Sequence, residues 1–119
     1  MNIENISQKL QIFADERDWK QFHSVKNLAM ALSVESSELL EIFQWMKEED
    51  SNLVKDNSQL KERVSEEVAD VFMYLLKIAD AAEIDLEKAV LSKLEKNALK
   101  YPAEQARGNS KKYSELKGE

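Results

Sequence analysis

The amino-acid sequence predicts an all-α protein in which four helices pack as a bundle. Apolar residues recur every three or four positions in four separate segments, which is the spacing of one helix face. Only two glycines and one proline interrupt the 119 residues, and the 43% hydrophobic and 34% charged shares are typical of a soluble globular protein. At this length we expect a single domain over residues 1–119 with a true core.

The first two helices are predicted from their apolar stripes. The first stripe indicates a helix that ends near residue 17, and it consists of Ile3, Ile6, Leu10 and Phe13. A short connection follows over residues 18–23. Ser24 is a favourable N-cap, from which the second helix should run to about Lys47 with positions 28, 32, 35, 39, 42 and 46 on one face.

Residues 48–58 are rich in acidic and amide side chains and predict a solvated loop. The third helix should span about 59–82, with positions 60, 64, 67, 71, 75 and 78 on one face. Asp85 is the predicted N-cap of the fourth helix, which must stop before Pro102 because proline disfavours helical geometry at the residue before it. Residues 103–119 are polar and predict a loosely held tail.

A run of six apolar residues from Val71 to Leu76 lies within the third helix. Such a run covers the whole circumference of a helix and should be buried on every side. Four helices in a small monomer cannot readily enclose one of their members. The sequence therefore predicts a homodimer or homotetramer formed through helices.

Charge and composition exclude several classes of protein. The net charge of −6 argues against a binder of nucleic acid polymers, which relies on a basic surface. The absence of cysteine excludes thiolate metal sites and cysteine nucleophiles, and the absence of a Gly-x-x-x-x-Gly-Lys run excludes a P-loop ATPase. The first residues lack the features of a signal peptide and no membrane segment is indicated, so we expect a cytoplasmic protein.

Carboxylates interrupt two of the predicted apolar stripes. Position 35 in the second helix and position 67 in the third are both Glu, and each is followed three residues later by another acid, Glu38 and Asp70. Residues three apart share one side of a helix, so two facing helices would bring four carboxylates together. Like charges are unfavourable in a low-dielectric interior unless a cation is bound.

A divalent cation is the natural counter-charge for such a cluster. Oxygen-only ligands favour hard ions, so we expect Mg²⁺, with Mn²⁺ as the alternative. The single histidine, His23, is not spaced with a Glu as di-iron bundles require. Glu41 lies one turn after Glu38 and is a candidate for orienting ligands near the metal or acting as a base. The competing interpretation is that these acids lie on solvated helix faces.

With these residues in place, the chain resembles the MazG-like all-α nucleoside triphosphate pyrophosphohydrolases, and within them the dCTP pyrophosphatase branch. The family signature, Glu-x-x-Glu followed by Glu-x-x-Asp, is matched at residues 35–38 and 67–70. Similar segments follow in the same order at residues 16–19, 21–23, 41–45, 70–75, 100–102 and 107–110. The resemblance implies a MazG fold, with Glu35, Glu38, Glu67 and Asp70 as the magnesium ligands.

The resemblance also implies a substrate pocket. In that branch, residues corresponding to Trp19, His23, Trp45 and Tyr74 line the site for base and sugar, and an aromatic face gains roughly 1–3 kcal/mol by stacking on a base. For the two tryptophans, ordinary amphipathic packing is the alternative. Relatives selective for dCTP carry a histidine where this chain has Leu10, so the preferred base is open.

The implied activity is magnesium-dependent hydrolysis of a deoxynucleoside triphosphate, dCTP or a related or modified one, to the monophosphate and pyrophosphate. Cations in the acidic cluster would neutralise the phosphates. Lys93 and Asn97 lie one turn apart on the fourth helix and are candidates for contacting phosphate, with a solvated face as the alternative. The alternative function is a non-catalytic helical interaction module whose aromatic residues form a groove for a partner.

Overall fold

The computed structural model describes residues 1–108 and residue 110, and all regular elements in that part of the chain are helical. The helices are α1 (Ile3–Glu16), α2 (Val25–Phe43), α3 (Glu48–Ser51), α4 (Ser58–Ala81), α5 (Leu86–Lys100) and α6 (Ala103–Ala106). Two short 3₁₀ turns, Lys20–Phe22 and Val54–Asp56, lie in the connections. The predicted all-α class is confirmed.

The four long helices each begin at a side chain that caps their first turn. The capping side chains accept a hydrogen bond from the backbone N–H three residues later, at 3.0 to 3.1 Å, and belong to Asn2, Ser24, Asn57 and Asp85. Each bond satisfies a donor that the helix itself cannot pair. Ser24 and Asp85 are the caps that the sequence predicted.

The connection between α2 and α4 differs from the prediction. α2 ends at Phe43, before the predicted Lys47, and Lys47 has extended backbone angles that lead into α3. Residues 48–58 are therefore not a loop throughout, because they contain α3, a 3₁₀ turn and the first residue of α4. Three acids fill the first turn of α3, where the helix dipole favours negative charge.

The chain divides into two compact units, residues Met1–Glu83 and a second unit that begins at Ile84. In the first unit, α2 packs along α4, and α1 and the turn at 54–56 also contact α4. Its buried apolar centre consists of Ala14, Leu28, Leu76 and Ala79. The second unit contains α5, which ends before Tyr101 and Pro102 as predicted, and α6.

The apolar run on α4 is only partly buried within one chain. Leu76 is 1% exposed, residues 71–74 are half-buried, and Leu75 is 40% exposed. The run is therefore not enclosed on every side by the chain's own described residues. The expectation that a second copy covers it stays a prediction.

The predicted tail over residues 103–119 begins with α6. Residue 109, within the family segment at 107–110, and residues 111–119 lie outside the described part of the chain, so the tail remains a prediction. Within the described residues, no helix combines the length and apolar character that crossing a membrane requires.

Candidate active site

The packing of α2 against α4 brings three of the predicted carboxylates together. Glu35 and Glu38 project from α2 and Glu67 projects from α4, and one carboxylate oxygen from each lies within 4.8 Å of the others. The pairing follows from the sequence, because residues 35 and 67 occupy the faces that the two helices turn toward each other. We call Glu35, Glu38 and Glu67 the acidic group.

Two carboxylate oxygens of the acidic group are buried without a hydrogen-bond partner among the described residues. Glu35 Oε2 and Glu67 Oε2 have no solvent access and no hydrogen-bond partner among the described residues. Removing a carboxylate oxygen from water without a hydrogen bond is costly, and native structures seldom leave such atoms unpaired. The two oxygens are therefore in the position expected of groups that receive a cation.

Burial raises the pKa of Glu35 to about 7, and the nearby Glu38, Asp70 and Glu67 add to this shift. Burial likewise raises the pKa of Glu67, with the charge of Glu38 acting in the same direction. Each group resists ionisation because burial withdraws it from water and because the neighbouring charges are of the same sign. Bound positive charge would reverse that preference and favour the ionised form.

Asp70 lies near the acidic group but outside its tight cluster. It is half-buried one turn after Glu67 on α4, and its charge contributes to the raised pKa of Glu35. The oxygen-only donor set from two rigid helices fits a hard divalent cation. The residues that could hold one are Glu35, Glu38 and Glu67, with Asp70 beside them.

A cavity of about 330 Å³ lies in the first unit between α1, the turn at 20–22, the start of α2 and the end of α4. It is lined by Leu10, Gln11, Ala14, Lys20, His23, Leu28, Lys77, Asp80 and Ala81. We call it the mixed cavity, because apolar and charged side chains share its wall. Of the predicted site residues, His23 lines this cavity, and Leu10 faces it as well.

Several polar side chains of the mixed cavity form a hydrogen bond or an ion pair with a neighbouring residue. Gln11 Nε2 donates to Asp80 Oδ2 at 3.4 Å, and Lys20 forms an ion pair with Asp15 at 3.1 Å. Burial lowers the pKa of His23, and the positive charge of Lys77 adds to that shift. The imidazole therefore favours its neutral form, which can both donate and accept a hydrogen bond.

A second cavity of about 270 Å³ shares two carboxylates with the acidic group. It is lined by Glu38, Glu41, Ile42, Arg63, Glu66 and Glu67. We call it the acidic cavity. Glu41 lines this cavity together with Glu38, and its predicted role stays a prediction. Arg63 and Glu66 were not singled out from the sequence.

The predicted aromatic residues do not all converge. Tyr74 is half-buried on α4, and burial raises its pKa with further contributions from Glu35 and Asp70, which places it beside the acidic group. Trp19 packs edge-on against Phe13, with ring centres 5.8 Å apart, and Trp45 is 91% exposed. Neither tryptophan lines the mixed or the acidic cavity.

Lys93 and Asn97 lie on α5 in the second unit, where Lys93 is exposed and Asn97 is half-buried. Their proposed contact with phosphate stays a prediction. The polar residues of the mixed cavity that were not predicted from the sequence are Gln11, Lys20, Lys77 and Asp80, and for Lys77 a signal existed. Asp70, Tyr74 and Lys77 follow one another at intervals of four and three residues, which is the spacing of one helix face.

Comparison with known proteins finds a matching family and several similar proteins. The sequence pattern described as the MazG-like family matches residues 30–116. The human protein named dCTP pyrophosphatase 1 is 41% identical over 114 residues, covering 96% of this chain and 67% of the human protein. Its rat counterpart is 41% identical over 116 residues, with 96% and 67% covered.

A solved structure shows the same fold. The crystal structure of a pyrophosphatase from Archaeoglobus fulgidus superposes with a TM-score of 0.78 and is 44% identical in sequence. The match covers 86% of this chain and 94% of the archaeal one. The likeness therefore extends over most of both chains and is not confined to the acidic motif.

Proposed function

The chain belongs to the MazG-like family, and we propose that it is a pyrophosphohydrolase that cleaves a deoxynucleoside triphosphate, such as dCTP, to the monophosphate and pyrophosphate. The observation that carries the proposal is the acidic group, in which two buried carboxylate oxygens lack a partner among the described residues. The names of the relatives, dCTP pyrophosphatase 1, supply the substrate class.

We propose that Glu35, Glu38, Glu67 and Asp70 hold Mg²⁺, with Mn²⁺ as a possible substitute. When bound, the cation would supply the positive charge that triphosphate cleavage needs and would acidify a water molecule. The helical scaffold fixes the carboxylates before the substrate arrives. Glu41 lines the acidic cavity, and its proposed role is to accept a proton from the attacking water or to orient ligands near the metal.

The nucleoside end of the substrate is assigned to the mixed cavity. His23 lines it and, as a neutral imidazole, can donate to or accept from a base or sugar. Tyr74 lies beside Lys77 of this cavity, and the charges of Glu35 and Asp70 contribute to its raised pKa. Trp19 and Trp45 line neither cavity within one chain and are candidate stacking residues because they match the family's aromatic positions. Lys93 and Asn97 remain candidates for the phosphates. Leu10 is apolar and stands where relatives selective for dCTP carry a histidine. Triphosphates with modified bases therefore belong among the substrates to be tested.

We further propose that the protein acts in the cytoplasm as a homo-oligomer that removes unwanted nucleotides from the pool. Large apolar side chains that one chain leaves exposed support the assembly, and they include Leu40, Leu75, Val90, Leu91 and Leu94. Sedimentation at several concentrations would distinguish a dimer from a tetramer. A stable monomer would contradict this part of the proposal.

The activity is tested by a screen of canonical and modified deoxynucleoside triphosphates with Mg²⁺, in which pyrophosphate and single phosphate are resolved. We expect monophosphate and pyrophosphate in equal amounts, and no turnover when the metal is chelated. Calorimetry with a non-hydrolysable dCTP analogue is the companion measurement. Neither turnover nor binding would refute the enzyme and favour the interaction module.

Substitution of Trp45 by Ala is expected to raise KM for the nucleotide roughly tenfold, because a lost base stack is worth about 1–3 kcal/mol. The side chain is 91% exposed, so its removal should leave the free energy of unfolding close to wild type. Steady-state kinetics together with a thermal melt make the comparison. Leu53→Ala, which removes another exposed apolar side chain and lines neither cavity, is the matched control. An unchanged KM would remove Trp45 from the substrate site.

A further inference from the structure

Lys77 is a half-buried cation that has no ion-pair partner within residues 1–108 and 110. It projects from α4, and its Nζ lies 4.9 Å from the centre of the Tyr74 ring. Burial lowers the pKa of Lys77, while the negative charge of Asp70 partly opposes that shift. The charge of Asp70 thus attracts the ammonium, although the two groups do not form an ion pair.

This arrangement leaves the ammonium partly withdrawn from water and available to a ligand. Withdrawing an ammonium from water is unfavourable, and an aromatic face returns only about 0.5–2 kcal/mol. The group also has three N–H donors, and no side-chain or backbone acceptor among the described residues takes them. An anion that enters the site would find a positive charge that is partly desolvated and forms no ion pair with another described residue.

The location of Lys77 narrows the identity of that anion. Its neighbours in the mixed cavity are Lys20, His23 and Asp80, but Lys20 is paired with Asp15 and Asp80 accepts from Gln11. Lys77 also lies 4.9 Å from the Tyr74 ring centre and is influenced by the charge of Asp70, which in turn contributes to the raised pKa of Glu35. Lys77 therefore stands at the boundary between the cavity assigned to the nucleoside and the carboxylates assigned to the phosphates.

We propose that Lys77 binds the first phosphate of the substrate, the one that stays with the nucleoside after cleavage. This inference rests on the proposed function and deepens it. The ammonium donates to a non-bridging oxygen of that phosphate, while Tyr74 beneath it keeps the side chain in place. Lys77 therefore positions the bond between the first and second phosphates over the acidic group.

The test measures, by calorimetry with Mg²⁺ present, the binding of three compounds that each represent a part of dCTP: deoxycytidine, dCMP and pyrophosphate. Only dCMP contains the phosphate that Lys77 is proposed to bind. In Lys77→Met, which keeps the chain length and loses the charge, Kd for dCMP should rise roughly tenfold or more, as a charge-assisted hydrogen bond predicts. The values for deoxycytidine and pyrophosphate should stay within about twofold of wild type.

Lys61→Met is the matched control, because Lys61 is an exposed lysine of the same helix that lines neither cavity. Lys77→Arg should recover part of the affinity for dCMP, and Lys77→Gln, which also removes the charge, replaces Lys77→Met if thermal melting shows that the latter does not fold. An equal loss for deoxycytidine, a loss for pyrophosphate alone, or an unchanged Kd for dCMP would each overturn the proposal.

The measurements distinguish a wrong proposed function from a wrong assignment of Lys77. If the wild type hydrolyses no deoxynucleoside triphosphate, the proposed function is wrong whatever Lys77 does. If the wild type hydrolyses dCTP and Lys77→Met binds dCMP as tightly as before, the function stands and the assignment of Lys77 is wrong. A raised KM for dCTP with unchanged Mg²⁺ affinity in Lys77→Met would support the assignment independently.

Discussion

Replacing Glu38 with Gln is expected to lower kcat about 1,000-fold or more, because the loss of one metal-binding carboxylate removes several kcal/mol of charge stabilisation. Glu38 belongs to the acidic group and also lines the acidic cavity, so the substitution acts on both. The side chain is exposed, and Gln preserves its size. Helicity measured by circular dichroism should therefore match wild type while turnover of dCTP is abolished.

Glu62→Gln is the matched control, since it removes an exposed carboxylate from α4 that lines neither cavity. Its kcat should equal that of the wild type. Asp70→Asn should abolish turnover as Glu38→Gln does. Turnover by Glu38→Gln at saturating Mg²⁺ would refute the assignment of this carboxylate, whatever the result with Asp70→Asn.

The metal-free protein is expected to lose stability as the pH rises from 4.5 to about 7. The pKa of Glu35 rises from 4.5 to about 7 on folding, so between these values the folded state binds more protons than the unfolded state. Stability falls with pH wherever that is so, and the loss should be on the order of 2 kcal/mol. Saturating Mg²⁺ should restore it by binding only the folded protein.

Denaturant titrations of wild type and Glu35→Gln at pH 5 and pH 8 isolate this contribution. The pKa of His23 is lowered by folding, which acts in the opposite direction, so the difference between the two proteins is the relevant quantity. Without metal, Glu35→Gln should be the more stable protein at pH 8, and it should gain less from Mg²⁺. A wild type that remains the more stable one at pH 8 would contradict the burial of an uncompensated carboxylate.

The long helices were predictable because local chemistry determines them. Ser24 and Asp85 cap α2 and α5 as expected, and Tyr101 and Pro102 follow the end of α5. The end of α2 was not predictable from periodicity, since Met46 continues the apolar stripe. The acids after Lys47 instead begin a new helix, which follows the extended backbone of Lys47.

The site was predictable where it depends on spacing and unpredictable where it depends on packing. Glu35 and Glu67 interrupt apolar faces, so their convergence follows once α2 and α4 are paired. Lys77 and Arg63 are ordinary basic residues in the sequence. Their candidate roles follow only from the cavities that they line, and those cavities are formed by residues distant along the chain.

The exposure of Trp45 gives the protein an optical reporter of its own. The chain contains two tryptophans, and Trp45 is 91% exposed while Trp19 is 44% exposed and rests against Phe13. An indole in water emits at longer wavelength than one covered by a ring. Titration with nucleotide should therefore quench the emission and shift it to the blue, and Trp45→Ala should abolish most of that signal without any label being attached.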